Sequence, residues 1–135
     1  YLKLGIMFIF YAIVTFQLIK QIWNATLVNK KVIFGMMSGY ISLGFIGFFI
    51  CTSIIIVHPD SFAGLNEFEA SANTLTQRLM YFSYITLMTI GYGEINPVTQ
   101  LAQKATVLIG LMGQFYFVII TAIVIGKYIN SSKNG

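Results

Sequence analysis

The sequence predicts an all-α membrane protein with three spanning helices and a fourth, half-length helix, between the second and third, that enters the membrane and turns back. Three observations carry this. Only 9% of the 135 residues are charged and 57% are hydrophobic, with a mean hydropathy of +0.80, whereas a soluble domain carries about 25% charged residues. Three long apolar runs divide the chain. The segment between the last two is first polar and then too short to cross a bilayer. Soluble enzymes, disordered tails and nucleic-acid binders are poor readings of such a chain, and the net charge of +4 is read as topology. The single cysteine, Cys51, permits neither an internal disulfide nor a cysteine-based metal site.

The first run, Gly5 to about Val28, is interrupted by Gln17, Lys20 and Gln21. A snorkelling Lys20 and an interfacial Trp23 still suit a spanning helix. The second, Val32 to Val57, contains no charge, and the third runs from Leu101 to Ile129. At 1.5 Å per residue these two reach roughly 39 and 44 Å against a hydrocarbon core of about 30 Å, so the last must tilt or protrude. Between them, His58 to Asn73 reads as an aqueous loop with Pro59, Asp60, Gly64, Glu67 and Glu69. Thr74-Leu75-Thr76-Gln77 has capping-box spacing and opens a helix to Met88. That helix is roughly 21 Å long, so the chain must return to the side it came from. Non-helical backbone at membrane depth is tolerated where it is buried in protein or lines a water-filled path. The residues after Met88 are therefore expected to line something.

Lys30 and Lys31 join the first two runs and Lys127 and Lys133 close the third, while Asp60, Glu67, Glu69 and Glu94 lie between the second and third. The lysine-rich ends are expected to be cytoplasmic, which gives a multi-pass protein of the cell membrane with a cytoplasmic C-terminus. Three crossings then put Tyr1 outside. Because residue 1 is not Met and the apolar start lacks a small-residue cleavage pattern, the start is expected to have been trimmed or processed, or to follow a further helix.

The most informative string is Thr86-Leu87-Met88-Thr89-Ile90-Gly91-Tyr92-Gly93-Glu94. A Thr-x-Gly-Tyr-Gly arising by chance in this composition is on the order of a few in a thousand. Here the chain resembles the potassium channel family, whose filter signature is Thr-Val-Gly-Tyr-Gly. The resemblance covers about Val32 to Ile129 and is sharpest from Thr86 to Pro97. It implies a tetrameric pore fold: outer helix about 32–57, pore helix about 75–88, filter 89–93 and inner helix about 101–129, within a pore domain of residues 30–135. Residues 1–29 would be an additional N-terminal membrane helix.

The family mechanism rests on rings of backbone carbonyls that replace the hydration shell of K+. Aiming successive carbonyls one way demands unusual dihedrals at alternate residues, which Gly91 and Gly93 tolerate. Four chains would contribute carbonyls of Thr89, Ile90, Gly91 and Tyr92, with the Thr89 hydroxyl adding a ring at the inner end. One chain is a quarter of a filter, so a homotetramer is implied. On the inner helix, Gln103, Val107, Gly110, Gln114, Phe117 and Thr121 share a face. Gln114, Phe117 and Thr121 are the candidate pore-lining residues. Gly113 stands where the family commonly places a hinge glycine, although such glycines equally often serve packing. The resemblance implies no cofactor beyond permeant K+ ions, and no partner beyond the sister chains and membrane lipid.

Departures from the family pattern lie around the filter. Glu94 stands where Asp is more usual, Met88 where a second threonine is common, Tyr81 and Phe82 replace a tryptophan pair, and Ile85 sits at a position acidic in some relatives. The support behind the filter should therefore differ, with Tyr81 donating to Glu94 at the outer mouth. A ring of four Glu94 carboxylates would concentrate cations; pairing with Arg78 or Tyr81 is the competing role.

Other features are read plainly. His58 could sense external pH, but interfacial histidines are common. Arg78 is the only arginine, so no voltage-sensing ladder exists in this sequence. Asn24-Ala25-Thr26 matches a glycosylation acceptor on the wrong side of the membrane, and Gly35-x-x-x-Gly39 marks close helix packing. Nothing resembles a nucleophile–base pair, and enzyme activity is not expected. The alternatives to a K+-selective channel are a nonselective cation channel and a non-conducting sensor or regulatory subunit that keeps the pore fold.

Overall fold

A computed structural model describes residues 2–25, 30–65 and 72–133. Four helices account for nearly all of it: α1 (Leu2–Asn24), α2 (Lys30–Val57), α3 (Ala72–Leu87) and α4 (Gln100–Lys133). A 3-10 turn at Pro59–Ser61 and two short strands, β1 (Phe62–Ala63) and β2 (Asn96–Pro97), fill the links. Glu67, Glu69 and the Thr26 of the glycosylation-like triplet lie outside the described residues.

The fold is all-α and suited to a membrane. Among the described residues, α1, α2 and α4 are long and apolar enough to cross a membrane. The helix α3, at 16 residues, is only roughly 24 Å long and is not. It starts at Ala72, earlier than the capping pattern suggested, so Thr74 lies in its first turn instead of capping it. It ends at Leu87, and α4 runs past Ile129 to Lys133.

The central position of α2 follows from its composition. It is largely apolar all round, as it needs to be, because α1, α3 and α4 all pack against it. Its Thr52 and Ser53 hydroxyls donate to the carbonyls of Phe48 and Phe49 one turn back (both 2.8 Å), so neither is left unpaired. By contrast α1 buries little beyond Thr15 and Ile22 and leaves most of its large apolar side chains exposed, as a lipid-facing helix should. Tyr11 anchors it, stacked on Phe45 at 4.7 Å and tilted against Phe49 at 5.7 Å.

Glycines in α2 are slots for hydroxyl-bearing side chains. A Cβ at Gly44 would collide with the Tyr84 ring, one at Gly47 with the Ser83 hydroxyl, and one at Gly39 with the Tyr116 hydroxyl. Through these slots Ser83 Oγ donates to Gly44 O (2.7 Å), Tyr84 OH to Ile41 O (2.8 Å) and Tyr116 OH to Met36 O (2.7 Å). The core formed this way holds Leu43, Phe49, Leu79, Phe82, Leu87 and Ile109 among others.

Contacts at its two ends fix the depth to which α3 descends. At the outer rim β1 pairs antiparallel with β2, Phe62 opposite Pro97 and Ala63 opposite Asn96. Val98 N donates to Ser61 O (2.9 Å), and Arg78 Nη2 donates to Gly64 O (2.6 Å). At the far end, Leu87 O accepts from Tyr40 OH (3.2 Å) and lies against Gly113. Gly113 stands thirteen residues into α4, roughly 20 Å along its axis. The chain therefore dips to mid-membrane and climbs back between Met88 and Ile95, which is a re-entrant segment.

Candidate functional site

The ascending segment begins where α3 is stopped. Thr89 N donates to Thr86 O (3.0 Å) and Ile90 N to Ile85 O (2.8 Å), the paired bonds of a Schellman ending. The residue that must turn left-handed in such an ending is the one after the cap, and here it is Thr89, with φ 58°. Glycine usually takes that place. A β-branched residue there is strained by about 1–3 kcal/mol.

Positive φ then recurs at every second residue. Gly91 has φ 57° and Gly93 φ 91°, while Ile90 and Tyr92 are not left-handed. In an ordinary strand successive carbonyls point to opposite sides; alternating the handedness of the dihedrals turns them to the same side. The segment is therefore a ladder of carbonyls with one orientation. A Cβ added at Gly91 or Gly93 would meet nothing within 4 Å, so these glycines answer to conformation and not to crowding.

Support comes from both flanks. Ile85 O accepts from the N–H groups of both Ile90 and Gly91 (2.8 and 3.3 Å), tying the ladder to the last turn of α3. Thr89 Oγ1 donates to Met88 O (2.7 Å), and Asn96 Nδ2 donates to Gly93 O (2.6 Å). Where the family pattern would place tryptophans, Phe82 is buried edge-on against Phe62 at 5.2 Å, and Ile85 is buried. Tyr81 hydrogen-bonds the Glu94 side chain. That bond, with a smaller contribution from the positive Arg78, holds the Glu94 carboxyl below the usual carboxylate range. Glu94 is thus an ionised group at the outer rim.

Beneath the ladder lies a cavity of about 680 Å³. Thr89, Gly113, Gln114, Phe117 and Thr121 line it from the base of the ladder and α4, and Met36, Met37 and Tyr40 from α2. Gly113 sits in its wall for a steric reason: a Cβ there would collide with Leu87 O, the last carbonyl of α3. The helix runs unbroken through it.

The two faces of α4 differ sharply. Ala102, Ala105, Ile109, Gly113, Tyr116 and Ile120 are buried within the chain, while Val107, Gln114 and Phe117, on the face predicted to line a cavity, are exposed. Ile90 and Tyr92 are also exposed, Tyr92 at 72%. Sequence reasoning missed the Thr89 turn, the Asn96 clamp and the Tyr40, Tyr84 and Tyr116 hydroxyl bonds. The only signal for the last was the presence of tyrosines facing α2 glycines at helical spacing.

Comparison with known families places this geometry. A family model for ion channels matches residues 35–130. The chain belongs to the ion channel family. The match takes in most of α2, all of α3, the carbonyl ladder and nearly all of α4, and leaves α1 outside. No curated protein and no solved structure matches the chain. The ladder from Thr89 to Gly93 and the residues lining the cavity beneath it all fall within the matched segment.

Proposed function

We propose that this ion channel is selective for potassium and that four copies of the chain close around one axis to build its pore. The observation that carries the reading is positive φ at Thr89, Gly91 and Gly93 within Thr-Ile-Gly-Tyr-Gly. Four such ladders facing an axis supply stacked rings of carbonyl oxygens from Thr89, Ile90, Gly91 and Tyr92, with Thr89 hydroxyls at the inner end. Oxygens replace the water shell of K+ ring by ring, and neighbouring ions repel one another onward. The exposed Tyr92 and the exposed face of α4 supply surface for the neighbouring copies.

Below the filter, Gln114, Phe117 and Thr121 of the four inner helices would surround a water-filled cavity. The negative ends of four α3 dipoles point toward it and favour a cation there. Four Glu94 carboxylates, each held by Tyr81, form an outer ring that raises the local cation concentration. Residues 30–135 are the pore unit in this reading, with residues 1–29 added at its periphery. By the positive-inside rule, Lys30, Lys31 and Lys127 support a cytoplasmic position for the end of α4 remote from the filter, in a protein of the cell membrane. The only bound species required are the permeant K+ ions.

The test is ion flux into liposomes holding the purified protein, with potassium against sodium, barium as blocker and valinomycin as the leak control. Barium-sensitive flux favouring K+ is expected, and Gly91→Ala should abolish it or its selectivity while leaving membrane insertion intact. Equal sodium flux would make this a nonselective cation channel. Unchanged K+ selectivity in Gly91→Ala would overturn the assignment of the filter.

A further inference from the structure

One side chain ties the far end of α4, within the ion channel module, to the helix outside it. Lys127, near the far end of α4, donates from Nζ to three main-chain carbonyls at the end of α1: Ile22 O at 2.8 Å, Trp23 O at 2.6 Å and Ala25 O at 2.5 Å. Those carbonyls are the ones a helix end leaves without partners. The last turn of α1 has no basic side chain of its own, and Ala25 N serves only Gln21 O. A lysine ammonium has three donors and carries the charge that the negative end of a helix dipole attracts. Lys127 therefore completes α1 from another helix, using its full donor capacity.

Position gives this bond a mechanical meaning. Lys127 lies roughly 40 Å along α4 from Gln100, beyond the apolar core and well past the cavity. In the pore reading above, on which this inference rests, that is the end of the inner helix where the conduction path must widen or close. Across from it, α1 packs chiefly along α2, and Lys127 stands seven residues beyond the buried Ile120, on the face of α4 away from the exposed Gln114 and Phe117. Its inner end is sealed by the buried Ile22, against which Gly35 of α2 is set. In that reading Gln114 and Phe117 face the pore axis, so a tie from the other face of α4 to α1 holds the inner end of α4 away from the axis.

We propose that Lys127 is a latch that fastens the inner end of the pore helix α4 to the peripheral helix α1 and favours the open pore, so that displacement of α1 closes it. The input to this channel would then be whatever moves α1 within the membrane, and the 680 Å³ cavity and the filter need not change.

The test uses wild type, Lys127→Met and Lys127→Arg, with two readouts. Methionine keeps an apolar stem and removes the donors; arginine retains donors for several carbonyls. Trp23 is the only tryptophan in the sequence and is largely exposed, so its fluorescence anisotropy in lipid nanodiscs reports directly on the end of α1. Single-channel recording in planar bilayers reports on the gate.

In Lys127→Met the Trp23 anisotropy should decay faster and open probability should fall about tenfold, a usual size for coupling between two elements. Unitary conductance and the K+/Na+ permeability ratio should not change, and Lys127→Arg should restore both readouts. Unchanged Trp23 anisotropy in Lys127→Met overturns the latch. Faster anisotropy with unchanged or raised open probability leaves an anchor and overturns the coupling. A wild type that passes no selective current overturns the pore reading instead, and the Trp23 measurement then still decides whether Lys127 fastens α1.

Discussion

Thr89 has two duties that pull in different directions. As the left-handed residue of a Schellman ending it would be better as glycine, yet it contributes a hydroxyl and a carbonyl at the base of the ladder. The signature motif made Gly91 and Gly93 legible in the sequence, because glycine is the residue that tolerates positive φ. Nothing in the sequence marked Thr89 as a third such position, since a β-branched residue argues against it. The Tyr81–Glu94 bond leads to a prediction at this scale. Because Tyr81 holds the Glu94 carboxyl below its ordinary range, its charge persists to lower pH than that of a free carboxylate and is lost as pH falls through the depressed value. Acid titration of K+ current from the filter side should therefore show a midpoint that depends on the Tyr81 hydroxyl. Tyr81→Phe removes the largest cause of the depression and should move that midpoint upward; an unmoved midpoint would separate Tyr81 from the charge state of the mouth.

Among the elements, α3 and α4 meet at Gly113, and the contact changes how that glycine is to be understood. The resemblance to the potassium channel family implies a hinge at this position, twenty residues beyond Gly93. The geometry adds that a side chain there would strike Leu87 O, which is main chain and cannot swing aside. Gly113→Ala should accordingly destabilise the protein by about 1–3 kcal/mol and also disturb K+/Na+ selectivity, because Leu87 lies two residues before the ladder. Thermal unfolding in detergent and reversal potentials measure the two effects. Altered open probability with stability and selectivity intact would return Gly113 to the role of a pure hinge. The lengths of the apolar runs made the spanning elements readable. The start of α3 was misjudged because Thr74 and Gln77 mimic a cap while the helix begins at Ala72. The β1–β2 pair was unreadable for a different reason: two-residue strands have no period to detect.

At the scale of the whole molecule, one chain buries its own core on one face and leaves Tyr92, Phe117 and the rest of that α4 face open. Mass measurement in detergent should give four chains per particle, and a monomer or dimer that conducts selectively would contradict the ring of ladders. A last consequence belongs to the hydroxyl bonds between helices. Tyr40, Ser83, Tyr84 and Tyr116 all address main-chain oxygens, at Leu87, Gly44, Ile41 and Met36. An acceptor of that kind survives nearly any exchange of the side chain attached to it. Mutational tolerance across α2 is therefore lopsided. Met36 and Ile41 can drift without loosening these bonds, whereas the donors, and the glycines that make room for them, are where a single exchange is felt.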